Sequence, residues 1–142
     1  MIRHACVPLA LGLIAIVTAP ATAEKPQGVK GTWKIVSAER EGKEITQYLG
    51  VVVTFDDNAY SAKLPSGEIG QADVKVDITQ KPWTIDMTPH YGANNGKHFK
   101  GICKVEGDTM TLCRGDAEKD RPAEFSSKPG SGATLIVFKR EK

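Results

Sequence analysis

Turn-forming residues recur about every 8–12 positions over most of the chain, and no segment between them has the apolar period of a three-turn amphipathic helix. The segments between the turns, such as "VVVTF" and "TLIVF", are rich in β-branched and aromatic residues, which favour strands. About eight short strands fit this spacing. The sequence therefore predicts an all-β antiparallel meander, closed as a barrel or a sandwich.

Two polar segments are the only places where we expect short helices. They are "GKEITQYLG", residues 42–50, and "DAEKDRPAEF", residues 116–125. The Gly- and Ser-rich run "SSKPGSG" follows the second of them and is typical of a loop that leads into the last strand. The chain shows no internal repeat.

The first residues have the order of a secretory signal peptide. Arg3 provides a positive start, an apolar stretch follows from Val7 to Val17, and Ala21-Thr22-Ala23 is a small-x-small cleavage site. We expect residues 1–23 to be removed and residues 24–142 to form one barrel domain. The expected location is periplasmic or extracellular, with no membrane span after cleavage.

Charge excludes one class of partner. The chain has 19 Lys and Arg residues against 17 Asp and Glu residues, with both signs interspersed. A protein that binds nucleic acid needs a basic stripe, and none is present. We expect a monomer that binds no nucleic acid.

The hairpin "GICKVEGDTMTLC" contains the two cysteines that remain after cleavage. A two-residue turn, at either Gly107-Asp108 or Glu106-Gly107, would place Cys103 on the face of Met110 and Leu112, with Cys113 on the opposite face. A three-residue loop centred on Asp108 would set Cys103 opposite Cys113, but it would mix charged residues into the apolar face. The pattern favours two separate thiols, whereas an oxidising location permits a disulfide.

Alternation along the strands identifies the side chains that should point into the barrel. They are Trp33, Ile35, with Ser37 as a further candidate, Val53, Phe55, Val74, Val76, Ile85, Cys103, Met110, Leu112, Ile136 and Phe138. A small barrel either fills its interior with such residues or holds one small ligand. The residues we expect to contact a ligand are Phe55, Val74, Ile85, Cys103, Met110, Arg121 and Phe138.

The sequence contains no clear motif for metal binding or nucleophilic catalysis. His90, His98, Cys103, Cys113 and Asp86 lack any spacing typical of metal ligands, so we expect no metal and no cofactor. There is no Gly-x-Ser-x-Gly motif, and a thiol at Cys113 activated by the adjacent Arg114 is the less common alternative. We expect a protein that is not an enzyme.

Arg121 has two interpretations. In the structural one, residues 116–125 form a lid or plug that Phe125 anchors, and Arg121 pairs with a carboxylate such as Asp86. In the functional one, Arg121 lies at the barrel mouth and recognises an anionic group.

The two ends of the predicted barrel sequence resemble a known family at Gly31, Trp33 and Arg140. A Gly-x-Trp in the first strand and an Arg at the end of the last strand resemble the structural signature of lipocalins. The segments "GTWKIVSAEREGKEI", "KPWTIDMT", "GICKVEGDTMTLC" and "RPAEFSSKPGSGATLIVFKRE" together resemble a lipocalin-like family of exported planctomycete proteins that has no established activity. The resemblance implies that Trp33 plugs one end of the barrel and that Arg140 stacks on its ring. Cys103 departs from the family pattern, which has an aromatic residue there more often.

Two functions fit such a barrel. The first is a non-enzymatic binding module for a small apolar or amphipathic molecule. The alternative is a structural or protein-interaction domain of the cell envelope, with a solid core and no ligand. An apolar cavity of at least about 300 Å³ that opens to solvent would favour the first, and a packed barrel with a flat apolar outer patch would favour the second.

Overall fold

Nine strands follow one another along the described part of the chain. A computed structural model describes residues 28–142, so the predicted signal peptide, residues 1–23, lies outside the described residues. The strands are β1 (Gly31–Arg40), β2 (Lys43–Glu44), β3 (Val52–Phe55), β4 (Ala59–Lys63), β5 (Ile69–Asp77), β6 (Trp83–Pro89), β7 (Phe99–Glu106), β8 (Thr109–Arg114) and β9 (Thr134–Arg140).

Neighbouring strands pair antiparallel, and the last strand returns to the first. Strand β9 pairs with β1 over seven residues of each, from Trp33↔Arg140 to Arg40↔Thr134. This pairing closes β1 and β3 to β9 into an eight-stranded barrel, while β2 is an additional short strand beside the end of β1. The predicted all-β antiparallel barrel is confirmed. Closure leaves the barrel strands no free edge along their paired length.

The two ends of the barrel differ in the length of their connections. At the short-loop end lie the segment before β1 and the connections 56–58, 78–82 and 107–108. At the long-loop end lie the connections 41–51, 64–68, 90–98 and 115–133. The long-loop end therefore has more chain with which to shape an opening.

Within residues 28–142, helical structure is confined to two 3₁₀ turns, Thr46–Tyr48 and Gly92–Asn94. The first lies within the predicted segment 42–50. The expected helix over residues 116–125 is wrong, and the second turn forms near Asn95-Gly96 instead. Proline at position 122 disfavours a helical conformation at Arg121, whose side chain bonds to the barrel wall. Among residues 28–142, no helix has the length and apolar character needed to cross a membrane.

A β-bulge in β1 corrects one detail of the predicted alternation. Ile35 pairs with Phe138 and Ser37 pairs with Val137, so Val36 is an extra residue in β1. The bulge shifts the inward phase by one position. Ala38, which is fully buried, occupies the inward position that simple alternation assigns to Ser37.

The core of the barrel is one hydrophobic cluster. The predicted inward-facing residues other than Ser37 belong to it or, in the case of Val76, pack against it, and Trp33, Ile85 and Met110 have no measurable exposure. Met87 and Phe99, which the prediction omitted, also belong to it. The period of two therefore identified most of the interior.

A second, smaller cluster lies on the outer wall of the barrel. It consists of Ile102, Cys113 and Ala133, with Phe125 and Leu135 packed against it. Phe125 is thus an anchor, as predicted. However, it holds the 115–133 connection against the outside of β7 and β8, so this segment does not form the expected lid or plug over the barrel mouth.

The cysteine parity prediction is confirmed. Gly107-Asp108 is a two-residue turn, and Cys103 pairs with Leu112 while Cys113 pairs with Ile102. Both cysteines are free thiols, one inside the barrel and the other in the outer cluster. Burial raises the pKa of Cys103 to about 12. Burial also raises the pKa of Cys113, whose Sγ donates a hydrogen bond to the Ser126 carbonyl at 3.5 Å.

We expect neither thiol to react with iodoacetamide in the native protein at neutral pH. A thiol with a pKa of about 12 has roughly one molecule in 10⁵ as the reactive thiolate at pH 7. The chain that begins after Ala23 contains only these two cysteines. Mass spectrometry should show no modification of the folded chain and two modifications after denaturation without a reductant. A denatured chain that remains unmodified would indicate a disulfide and contradict the parity argument.

Candidate functional site

A cavity of about 240 Å³ occupies the half of the barrel that faces the long-loop end. Phe55 and Phe138 lie deepest in it, and their rings meet edge to face with centroids 6.1 Å apart. Aliphatic side chains form its walls, and parts of three long-loop connections surround its mouth, with Tyr48, Leu64 and Tyr91 among the lining residues. The interior is therefore hollow at one end only.

Trp33 fills the opposite end. Its ring is completely buried, and its Nε1 donates a hydrogen bond to the Val29 carbonyl at 2.9 Å. The Arg140 guanidinium lies 4.1 Å from the centre of this ring, which is the stacking that the resemblance implied. Gly31 has a φ of +131°, which disfavours any other residue, and a Cβ there would lie 2.7 Å from Arg140 Nη1, so the guanidinium would have to shift.

Two tyrosines meet at the mouth. The hydroxyls of Tyr60, on β4, and Tyr91, in the 90–98 connection, are 3.0 Å apart and share a hydrogen bond. The Tyr91 ring lies against Gly70, where a Cβ would come within 2.6 Å of it. Burial, reinforced by Tyr91, raises the pKa of Tyr60 well above its ordinary value, so this phenol stays neutral.

Arg114 is the only residue with a formal charge in the cavity lining. It continues the inward alternation of Met110 and Leu112 at the end of β8, and its guanidinium lies 4.4 Å from the centre of the Phe99 ring. Within residues 28–142 it forms no ion pair. The cavity is thus mostly apolar, and its polar side chains are one cation, three tyrosines and the amide of Asn94.

The predicted ligand contacts divide into three groups. Phe55 and Phe138 line the cavity. Val74, Ile85, Cys103 and Met110 do not line it and lie in the packed part of the same core, where neighbouring side chains fill the space in front of them. Arg121 is separate from both groups.

Arg121 lies on the outer wall of the barrel. Its guanidinium donates one hydrogen bond to the Gly101 carbonyl at 2.6 Å and another to Asp86 Oδ1 at 2.8 Å. Asp86 belongs to the outward face of β6, between inward-facing Ile85 and Met87. The predicted pair with Asp86 is therefore present, and the interpretation of Arg121 at the barrel mouth is wrong.

Sequence reasoning missed Arg114, Tyr60, Tyr91 and Phe99. A signal for Arg114 was available, since positions 110, 112 and 114 share one face of a strand. The adjacent position of Arg114 and Cys113 suggested that the arginine could activate the thiol. However, adjacent residues of a strand point to opposite faces, so the two side chains lie on different sides of the barrel wall. Tyr91 offered no such signal, because its position depends on the path of a loop.

The histidines have local partners. His90 Nε2 lies 2.8 Å from Asp73 Oδ2, and His98 Nδ1 lies 2.9 Å from the Thr88 hydroxyl. In the described part of the chain, no three His, Cys, Asp or Glu side chains are placed so that they could hold a metal ion.

No protein-family model matches the chain, and no curated protein matches it at a significant level. The interpretation of the site therefore depends on its own geometry.

Proposed function

We propose that the protein binds a small apolar or amphipathic molecule in the barrel cavity and carries out no chemistry on it. The observation that carries this proposal is the hollow half of the barrel, with two phenylalanine rings at its floor and an apolar wall that reaches the mouth. Concave, mostly apolar sites with a few polar groups are the usual form of small-molecule sites.

The volume of the cavity limits the size of the ligand. An engineered cavity of about 150 Å³ accommodates benzene, and sites for drug-sized molecules begin at about 300 Å³. The cavity, at about 240 Å³, lies between these values. We therefore propose a ligand with a single ring or a short alkyl chain, held by contacts with the walls.

The side chains around the cavity support binding rather than catalysis. Among its lining residues there is no His, Cys, Asp, Glu or Lys, which are the usual groups for acid–base or nucleophilic steps. The phenol of Tyr60 is held neutral by burial. Such a lining offers apolar contact and hydrogen bonds.

The proposal also includes export and a likeness to the lipocalin-like family. Export is supported by residues 1–23 of the sequence. The likeness is supported by the contact between Trp33 and Arg140 at the closed end, with Gly31 beneath it. Both features are consistent with a carrier or sensor of a small molecule outside the cytoplasm.

Titration calorimetry with octanol tests the cavity directly. We expect one molecule of octanol to bind per chain, with the negative heat-capacity change of apolar burial. Ala62 is buried and lines the cavity, so Ala62→Phe should fill it and abolish binding. Ala59 lies on the same strand but is exposed, so Ala59→Phe is the matched control and should bind normally. No saturable binding by the folded wild-type chain would contradict the proposal.

Native mass spectrometry of protein purified from its own cells provides a second test. A discrete additional mass that disappears on denaturation would identify a carried ligand. A bare polypeptide mass, together with no binding of octanol, would favour the alternative of a protein-interaction domain.

A further inference from the structure

We propose that the ligand is a small amphipathic anion whose carboxylate-like head group is bound by Arg114 at the barrel mouth. This inference rests on the proposed function, because it assigns a chemical class to the occupant of the same cavity. The apolar part of the molecule would extend toward Phe55 and Phe138, at the floor of the cavity.

The side-chain donors of Arg114 have no hydrogen-bond or ion-pair partner among residues 28–142. No carboxylate in residues 28–142 lies within ion-pair distance of its guanidinium. In this part of the chain, every fully buried side-chain nitrogen or oxygen atom has a hydrogen-bond partner. The guanidinium nitrogens of Arg114 have no such partner, so they are not fully buried. The donors are therefore accessible, and Arg114 lines the cavity.

The carboxylate closest to Arg114 in the sequence already has a partner. Both oxygens of Asp116 accept hydrogen bonds from the Arg40 guanidinium, and the Nη2–Oδ2 distance is 2.9 Å. This two-point ion pair compensates the charge of Asp116. Arg114 lies near this carboxylate, but Asp116 is bonded to Arg40, and no carboxylate in residues 28–142 forms an ion pair with Arg114.

Phe99 supports the guanidinium from one side. A cation held over an aromatic face keeps the hydrogen atoms at its edge free, and the planar fork of arginine matches the two oxygens of a carboxylate. An apolar surrounding strengthens the attraction between opposite charges, because the local dielectric is lower than that of water. Position and chemistry therefore both favour an anion.

The tyrosine pair faces Arg114 across the barrel. Strands β4 and β8, which carry Tyr60 and Arg114, are separated by three strands in either direction around the barrel. The single hydrogen bond between Tyr60 and Tyr91 uses one of their two hydroxyl protons. The other proton remains to be donated to an acceptor in the mouth. A head group between Arg114 and this pair would therefore meet donors on both sides.

Titration calorimetry with octanoate and octanol, which differ only in the head group, tests this inference. At about 0.15 M salt, where long-range attraction is screened, we expect the wild-type chain to bind octanoate at least about tenfold more tightly than octanol. Arg114→Gln should weaken the binding of octanoate by about 10- to 100-fold and change that of octanol by less than about twofold. Arg114→Lys retains the charge without the fork and should give an intermediate loss.

Lys63→Gln is the matched control for net charge. Lys63 is exposed at the long-loop end of β4 and does not line the cavity, so octanoate binding should be unchanged. Thermal unfolding of each variant would verify that it folds, and the comparison of the two probes on the wild-type chain needs no variant.

The outcomes separate the two proposals. Equal affinities of the wild-type chain for octanol and octanoate would overturn the role of Arg114 and retain the binding function. An equal loss of octanoate binding in Arg114→Gln and Lys63→Gln would also overturn it, because general charge would then be the cause. Binding of neither probe would overturn both proposals.

Discussion

Replacing Trp33 with alanine should lower the free energy of unfolding by about 3–5 kcal/mol, the range for large truncations in a core. The Trp33 ring has no exposed surface, and its removal would leave a void at the closed end of the barrel. The Val29 carbonyl would lose its donor, and Arg140 would lose the ring on which it stacks. Urea denaturation followed by circular dichroism would measure the loss.

Two further variants separate the causes of this loss. Trp33→Phe keeps a ring beneath Arg140 but removes the hydrogen bond to Val29, so we expect a smaller destabilisation than with alanine. Trp83→Ala provides a comparison in the same barrel, because Trp83 is only partly buried and should lose less. A loss below about 1 kcal/mol for Trp33→Ala would contradict its place in the core and weaken the likeness to lipocalins.

The barrel was predictable because its strands bury one face. A period of two then specifies which side chains point inward, and a two-residue turn specifies how the faces of a hairpin match. The β7–β8 hairpin illustrates both effects. A two-residue turn puts Cys103 on the face of Met110 and Leu112, and the turn at Gly107-Asp108 pairs Cys103 with Leu112. Local pattern and tertiary pairing agree there.

Features that depend on contacts between distant segments were not predictable. The bulge at Val36 lies in the pairing of β1 with β9, just beyond Lys34, where the pairing of β1 with β3 ends, and nothing in the local sequence marks it. The segment 116–125 has a composition compatible with a helix. However, its path is determined by Phe125 in the outer cluster and by the bonds of Arg121 to the barrel wall.

The cavity was only partly predictable for a similar reason. Hydrophobic alternation shows that Phe55 and Met110 both point inward, but it does not show whether the space in front of each is filled. That depends on the size of side chains across the barrel. At the closed end Trp33 occupies the space, whereas at the other end smaller side chains such as Val53 and Ala62 leave it open.

Replacing Arg121 with alanine should lower the free energy of unfolding by about 2 kcal/mol, within the range for hydrogen bonds that involve a charged group. The Arg121 side chain is only 28% exposed and joins the 115–133 connection to β6 and β7 through Asp86 and the Gly101 carbonyl. Its loss would leave that carbonyl without its donor. Since Arg121 lies outside the cavity, the affinity for octanoate should stay within about twofold of the wild-type value, in contrast to Arg114→Gln.

Arg121→Lys and Asp86→Asn determine how the stability is divided between the two bonds. Lysine retains the charge but cannot reach two acceptors with the same fork, so it should recover part of the loss. Asp86→Asn removes the ion pair and keeps the bond to Gly101. It should cost less than Arg121→Ala, because Asp86 is 46% exposed and water can replace its partner. If Arg121→Ala left stability unchanged but abolished octanoate binding, the role of Arg121 on the outer wall would be contradicted, and recognition of an anion by this residue would have to be reconsidered.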